Sequence, residues 1–163
     1  MARIVCDSVI HRLLQQRYPA PGWATFFEVA SGTGRSFSRY ADAVSMSLFP
    51  SRGLDFNGFE IKLDRRDWLR ELKDPAKADT IASYCDYWWL VLGDAEVAKF
   101  EEIPRTWGVL VHEGEGLVQK KAAQRLKAMQ IDRPFIAALL RRAHEMAERE
   151  KVREDDKFSK VNA

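Results

Sequence analysis

The chain is expected to adopt an α/β fold, for three reasons. Apolar spacing changes from a helical period to strict alternation and back along the sequence. The run "YWWLVL", Tyr87 to Leu92, is the continuous apolar stretch of a strand covered on both faces. Nine Phe and five Trp among 163 residues supply the volume for one core, the usual number at this length.

The elements follow in order. "DSVIHRLLQQRY" sets Val9, Ile10, Leu13 and Leu14 at helical spacing, with Asp7 or Ser8 as N-cap. "YPAPG" stops that helix, because proline lacks an N–H donor and restricts the residue before it. "WATFFEVA" is β-branched and aromatic enough for a strand, "SGTGRSFSR" is a loop, and "YADAVSMSLF" alternates as a second strand. "PSRGLDFNG" carries turn chemistry ending in Asn57-Gly58, and "FEIKL" is a third strand.

The period then becomes helical, with Trp68, Leu69 and Leu72 on one face between Arg65 and Leu72. Asp74 as N-cap and Pro75 at the first helical position start another helix in "DPAKADTIASYC". After "YWWLVL", the segment "TWGVLVHEGEGLVQKKA" reads as a strand pair turning between Glu113 and Gly116. "RPFIAALLRRAHEMAERE" is a helix with Phe135, Ile136, Leu139, Leu140, Ala143 and Ala147 as its apolar stripe. This order implies a central mixed β-sheet flanked by helices on both faces. Residues 1–150 are expected to form a single domain, and 151–163 a charged C-terminal tail that frays.

Composition narrows the functional classes. A formal charge of +2 does not by itself argue for nucleic acid, so any electrostatic footprint must be local. Cys6 and Cys85 lie far apart without metal-ligand spacing and read as buried thiols of a reducing compartment. His11, His112 and His144 fall on distant elements and receive no role. "SGTGRS" lacks the Lys-Ser/Thr of a nucleotide-phosphate loop. No apolar run approaches the ~20 residues of a membrane span. The N-terminus carries no small-residue cleavage pattern, and a cytoplasmic protein without a membrane partner is expected.

The chemistry centres on "GFEIKLDRRDW". Residues two apart on a strand share a face, so Glu60 and Lys62 point away from Phe59, Ile61 and Leu63. In a sheet covered on both sides, burying Glu60 costs several kcal/mol unless something compensates it. Asp42, in "RYADAV", lies on the preceding strand. An antiparallel pairing of even residue sum sets it opposite Glu60 or Lys62, whereas pairing with Ile61 would turn it away. Two carboxylates ~4 Å apart repel by about 4 kcal/mol at an effective dielectric of ~20, and one lysine offsets only part of this. A divalent cation would offset the rest, and carboxylate oxygens suit Mg²⁺ or Mn²⁺. Acid, acid and lysine around a hydrated metal can attack a phosphodiester. The bland alternative is a salt bridge at a solvated strand edge.

"RYADAV" followed by "GFEIKLDRRDWLRELKDPAKADTIASYCDYWWLV" resembles the PD-(D/E)XK nuclease superfamily, most closely its MmcB-like DNA-repair branch and phage-borne relatives. The resemblance spans residues 28–92. It implies a restriction-endonuclease-like core, with Asp42 and Glu60 as metal ligands and Lys62 as the catalytic lysine. It further implies Glu28, in "TFFEVA", as a third metal ligand. The activity implied is Mg²⁺- or Mn²⁺-dependent hydrolysis of DNA in repair, recombination or phage DNA processing. The alternative is a DNA-binding repair module that keeps the fold but cleaves little.

Arg35 and Arg39 in the loop before the second strand are candidates for contact with the DNA backbone. Arg66 and Lys77, with Arg70 and Lys73, could track phosphates along the following helices. Interleaved Asp64, Asp67, Glu71, Asp74 and Asp79 favour a solvated face of salt bridges equally well. Duplex cleavage by one small site would call for a homodimer.

Overall fold

The computed structural model describes residues 6–34, 39–74 and 79–161. Six strands form one sheet in the order β1-β2-β3-β4-β5-β6: β1 (Trp23–Ala30), β2 (Tyr40–Ser47), β3 (Phe56–Lys62), β4 (Tyr87–Leu92), β5 (Gly108–Glu113) and β6 (Gly116–Lys121). The first three run as an antiparallel meander, β4 and β5 lie parallel to β3, and β6 returns antiparallel to β5. The helices are α1 (Asp7–Arg17), α2 (Arg65–Glu71), α3 (Asp79–Ala82) and α4 (Arg133–Val161). The fold is therefore mixed α/β, as the changing periods imply.

Helices pack on both faces. Ile10 and Leu14 of α1 pack with Phe27, Ala43, Phe59, Ile61, Trp89 and Val91 on one side. On the other, Ile81 and Phe135 cover Val44, Phe56 and Trp88, while Trp68 of α2 packs with Leu90, Leu92, Val109 and Val111. Trp88 and Trp89 are both buried core residues. Among the described residues, no helix is long and apolar enough to cross a membrane.

Several local expectations need correction. Cys6 occupies the N-cap of α1 and makes no side-chain capping bond, so neither Asp7 nor Ser8 caps it. At this helix end the Cys6 thiol is exposed, whereas Cys85 is buried as expected. Asn57-Gly58 sits inside β3. The chain turns earlier, through a 3₁₀ turn at Pro50–Arg52, with Gly53 and Leu54 at φ 85° and 56°. Packing decides this: Trp89 Nε1 donates to Asn57 Oδ1 at 3.0 Å, and a Cβ at Gly58 would lie 2.2 Å from the Trp88 ring. The start of the α3 segment at Asp74-Pro75 lies partly outside the described residues.

In α2, Trp68 is buried but Leu69 is exposed. The stripe of α4 is rotated from the expected one, with Phe135 and Ala138 buried and Ile136 and Leu140 facing outward. Phe135 sets that rotation by stacking on Tyr84 at 4.8 Å and meeting Phe56 edge-on. The charged segment after Lys151, expected to fray, continues as helix to Val161. Its Glu, Lys and Arg residues are good helix formers.

Candidate active site

The site lies where two neighbouring strands stop pairing. Strand β2 remains paired with β1 as far as Tyr40, but its ladder with β3 ends at Ala43↔Phe59. That pair has the even sum the sequence argument required, and the register continues toward Asp42 opposite Glu60. The next ladder donor, the Ile61 N–H, is taken by Asp42 Oδ2 at 2.7 Å. Asp42 thus substitutes for a backbone acceptor at the mouth of the gap. Its second oxygen is not used in that bond.

Beside it, the Lys62 ammonium lies between two carboxylates. Lys62 Nζ is 2.5 Å from Glu60 Oε1 and 3.2 Å from Glu71 Oε2. Glu60 and Glu71 are both buried, at 7% and 6% exposure. Burial pushes the Glu60 carboxyl up to about 8, and the nearby Asp42 charge adds to the rise while Lys62 opposes it. Asp42 is also raised by burial, against the pull of the Ile61 N–H and Lys62. Burial alone would depress Lys62, but Glu60, Glu71 and Asp42 together hold it above its ordinary value.

Glu71 is the residue that sequence reasoning missed, having assigned it to a solvated face. Helix α2 is anchored by buried Trp68, whose Nε1 donates to Glu102 at 3.0 Å. Arg65 grips the same Glu102 with two bonds of 2.5 and 2.6 Å. Glu71, three residues after Trp68, falls on the helix side turned toward the sheet and meets Lys62 there. A signal existed: Glu71 shares the face of Trp68 and Leu72, where an unpaired carboxylate would be costly.

The other candidates are dispersed. Glu28 sits on β1 at φ 52°, between the ladder pairs Phe27↔Ala43 and Val29↔Ala41 and so opposite Asp42 by register, with its side chain exposed. Its carboxylate pairs with Arg142 at 3.2 Å. Glu28, Tyr40, Asp42, Arg141, Arg142 and Glu145 line one cleft of 530 Å³, while Lys62 and Glu71 line a separate 270 Å³ opening with Asp67 and Arg70. Glu28 and Asp42 therefore share a cleft, but Glu28 is not drawn to Glu60.

Arg39 lies 3.7 Å from Asp74, Arg66 is exposed on α2, and Arg70 is bound to Asp67. Arg35 and Lys77 lie outside the described residues. Arg142, unassigned from sequence, is largely buried and donates to the Phe27 carbonyl at 2.5 Å as well as to Glu28. No sequence signal separated it from the other arginines of α4.

Among the described residues, no group of three His, Cys, Asp or Glu side chains is arranged to hold a metal. Mg²⁺ asks for less, since one or two carboxylates with water and substrate phosphate usually suffice. Asp42 and Glu60 are two such carboxylates, and burial is the main reason that both sit above their ordinary pKa.

No family model and no curated protein matches the chain. A solved structure of a protein of unknown function from Silicibacter pomeroyi is similar, with a TM-score of 0.62 at 18% identity. The match covers 91% of this chain and 88% of that one. At this identity the likeness concerns the fold alone.

Proposed function

We propose that the chain is a metal-dependent nuclease that hydrolyses DNA phosphodiester bonds on a restriction-endonuclease-like core of the PD-(D/E)XK type. One observation carries this reading: the single Lys62 ammonium stands between buried Glu60 and Glu71, with Asp42 beside them. Once Glu60 gives up its proton, three carboxylates and one ammonium leave a surplus of two negative charges, which a divalent cation would balance. Asp42 and Glu60 would hold Mg²⁺ or Mn²⁺. When bound, such an ion polarises a phosphoryl oxygen and lowers the pKa of a water. Lys62 then orients the attacking water and offsets charge developing on the phosphate. Glu71 keeps Lys62 aimed, as a positioning residue. The cleft beside Asp42 leaves room for the substrate backbone.

A second reading, a DNA-binding module with little cleavage, draws support from Lys62 being engaged by two glutamates and from the lack of a three-ligand group among the described residues. Single-stranded, duplex and branched DNA incubated with and without Mg²⁺ or Mn²⁺ separates the two readings. The nuclease reading expects metal-dependent products that vanish in Lys62→Ala and in Asp42→Asn, with unchanged circular dichroism. The second variant guards against misfolding from two glutamates left without their cation. Full activity in either folded variant, or wild-type binding without products, ends the nuclease proposal.

A further inference from the structure

Helices α1 and α4 face each other across the β1 edge, and the groove between them is basic. Arg12 of α1 and Arg142, Arg149 and Arg153 of α4 line this 390 Å³ groove, with His11 and Phe27 alongside. The α4 arginines recur after seven and then four residues, so they stand along one side of the helix. Their 11-residue spread covers about 16 Å at 1.5 Å per residue.

Among the described residues, Glu28 and Glu150 line the groove with these four arginines and Glu145 pairs with Arg142 from beside it, a surplus of one positive charge (4 − 3) carried by the arginines away from that pair. Arg142 is committed to Glu28 and Glu145, whereas Arg12, Arg149 and Arg153 form no ion pair among the described residues. Unneutralised guanidiniums collected in one groove are a place for phosphates. His11 stacks on Phe27 with ring centroids 4.0 Å apart, and burial lowers its pKa, leaving a flat uncharged ring at the groove wall. A base can stack there. Arg142 and Glu28 line both this groove and the cleft that contains Asp42, so the two openings meet at that pair.

We propose that the α1/α4 groove binds the phosphodiester backbone of a single-stranded polynucleotide and leads it past the Arg142–Glu28 pair toward Asp42. The binding stands on the groove itself, and only its destination rests on the nuclease reading. A single strand is favoured because the groove has the volume of a small-molecule pocket and because stacking needs an unpaired base.

The test is fluorescence anisotropy in EDTA, using a labelled oligothymidylate and a labelled duplex over a range of salt. The wild type should prefer the single strand. The triple variant Arg12→Ala/Arg149→Ala/Arg153→Ala should bind at least tenfold more weakly, with the slope of log K against log salt shallower by about 2, from ~0.7 per phosphate contact. His11→Ala should lose affinity with no change in slope, and Lys127→Ala, an exposed lysine outside the groove, should match the wild type. Unchanged affinity and slope in a triple variant with wild-type circular dichroism would overturn the groove, as would tighter binding of duplex. Arginine-dependent binding without cleavage would leave the groove standing and remove the nuclease. Metal-dependent cleavage indifferent to the three arginines would do the reverse.

Discussion

Replacing Glu60 by Gln removes one titrating group from the buried cluster while keeping its shape. In the folded chain Glu60 titrates near 8 instead of its ordinary 4.5. Below pH 4.5 the group is protonated whether folded or not. Between 4.5 and about 8 the unfolded chain has released this proton while the folded chain retains it. Stability from this group is therefore fully present at acid pH and is lost as pH rises through the folded value. An interval of 3.5 decades (8 − 4.5) at ~1.36 kcal/mol per decade makes the loss roughly 5 kcal/mol. Asp42, also raised, acts in the same direction, and His11, lowered, acts in the opposite one. Both are present in wild type and variant, so the difference between the two proteins reports Glu60 together with its coupling to Asp42 and Lys62. Urea unfolding followed by tryptophan fluorescence in EDTA, from pH 5 to 9, measures it. The wild type should lose several kcal/mol relative to Glu60→Gln over that range, with the steepest divergence below pH 8. Parallel profiles would refute the claim that Glu60 is a buried, proton-holding carboxyl.

Two further predictions concern the metal and the sheet. With Glu60 near 8, it is protonated about ten to one at pH 7, so Mn²⁺ binding there should release close to one proton and tighten about tenfold per pH unit up to 8. Calorimetry in buffers of different ionisation enthalpy counts that proton, and a count of zero would exclude Glu60 as a ligand. Gly58→Ala drives a methyl to 2.2 Å from the Trp88 ring and should cost about 1–3 kcal/mol in urea unfolding, partly recovered by adding Trp88→Leu. An unchanged unfolding midpoint in the single variant would show that β3 and β4 do not approach as closely as described.

Much of the architecture was legible because it is written in short-range periodicity. The alternation around Phe59 and Ile61, the apolar run of Tyr87–Leu92 and the prolines after α1 each act on their own neighbours, and the strands and helices appear there. The same locality set Glu60 and Lys62 on one side of β3, and the parity rule limited where Asp42 could stand. What failed was decided between distant segments. Asn57-Gly58 has turn chemistry in isolation, but Trp88 and Trp89 of the neighbouring strand hold it in β3. Ile136 and Leu140 suited a buried stripe as well as Phe135 did, until Tyr84 and Phe56 fixed the rotation of α4.

Glu71 shows the division most clearly. Along its own helix it alternates with arginines and looks solvated, and only the docking of Trp68 carries it to Lys62. The sequence by itself determined which side chains share a face of each element, because that follows from backbone geometry within a few residues. The tertiary structure decided which charges meet across elements, because burial makes an unpaired charge costly and so lets packing choose each partner.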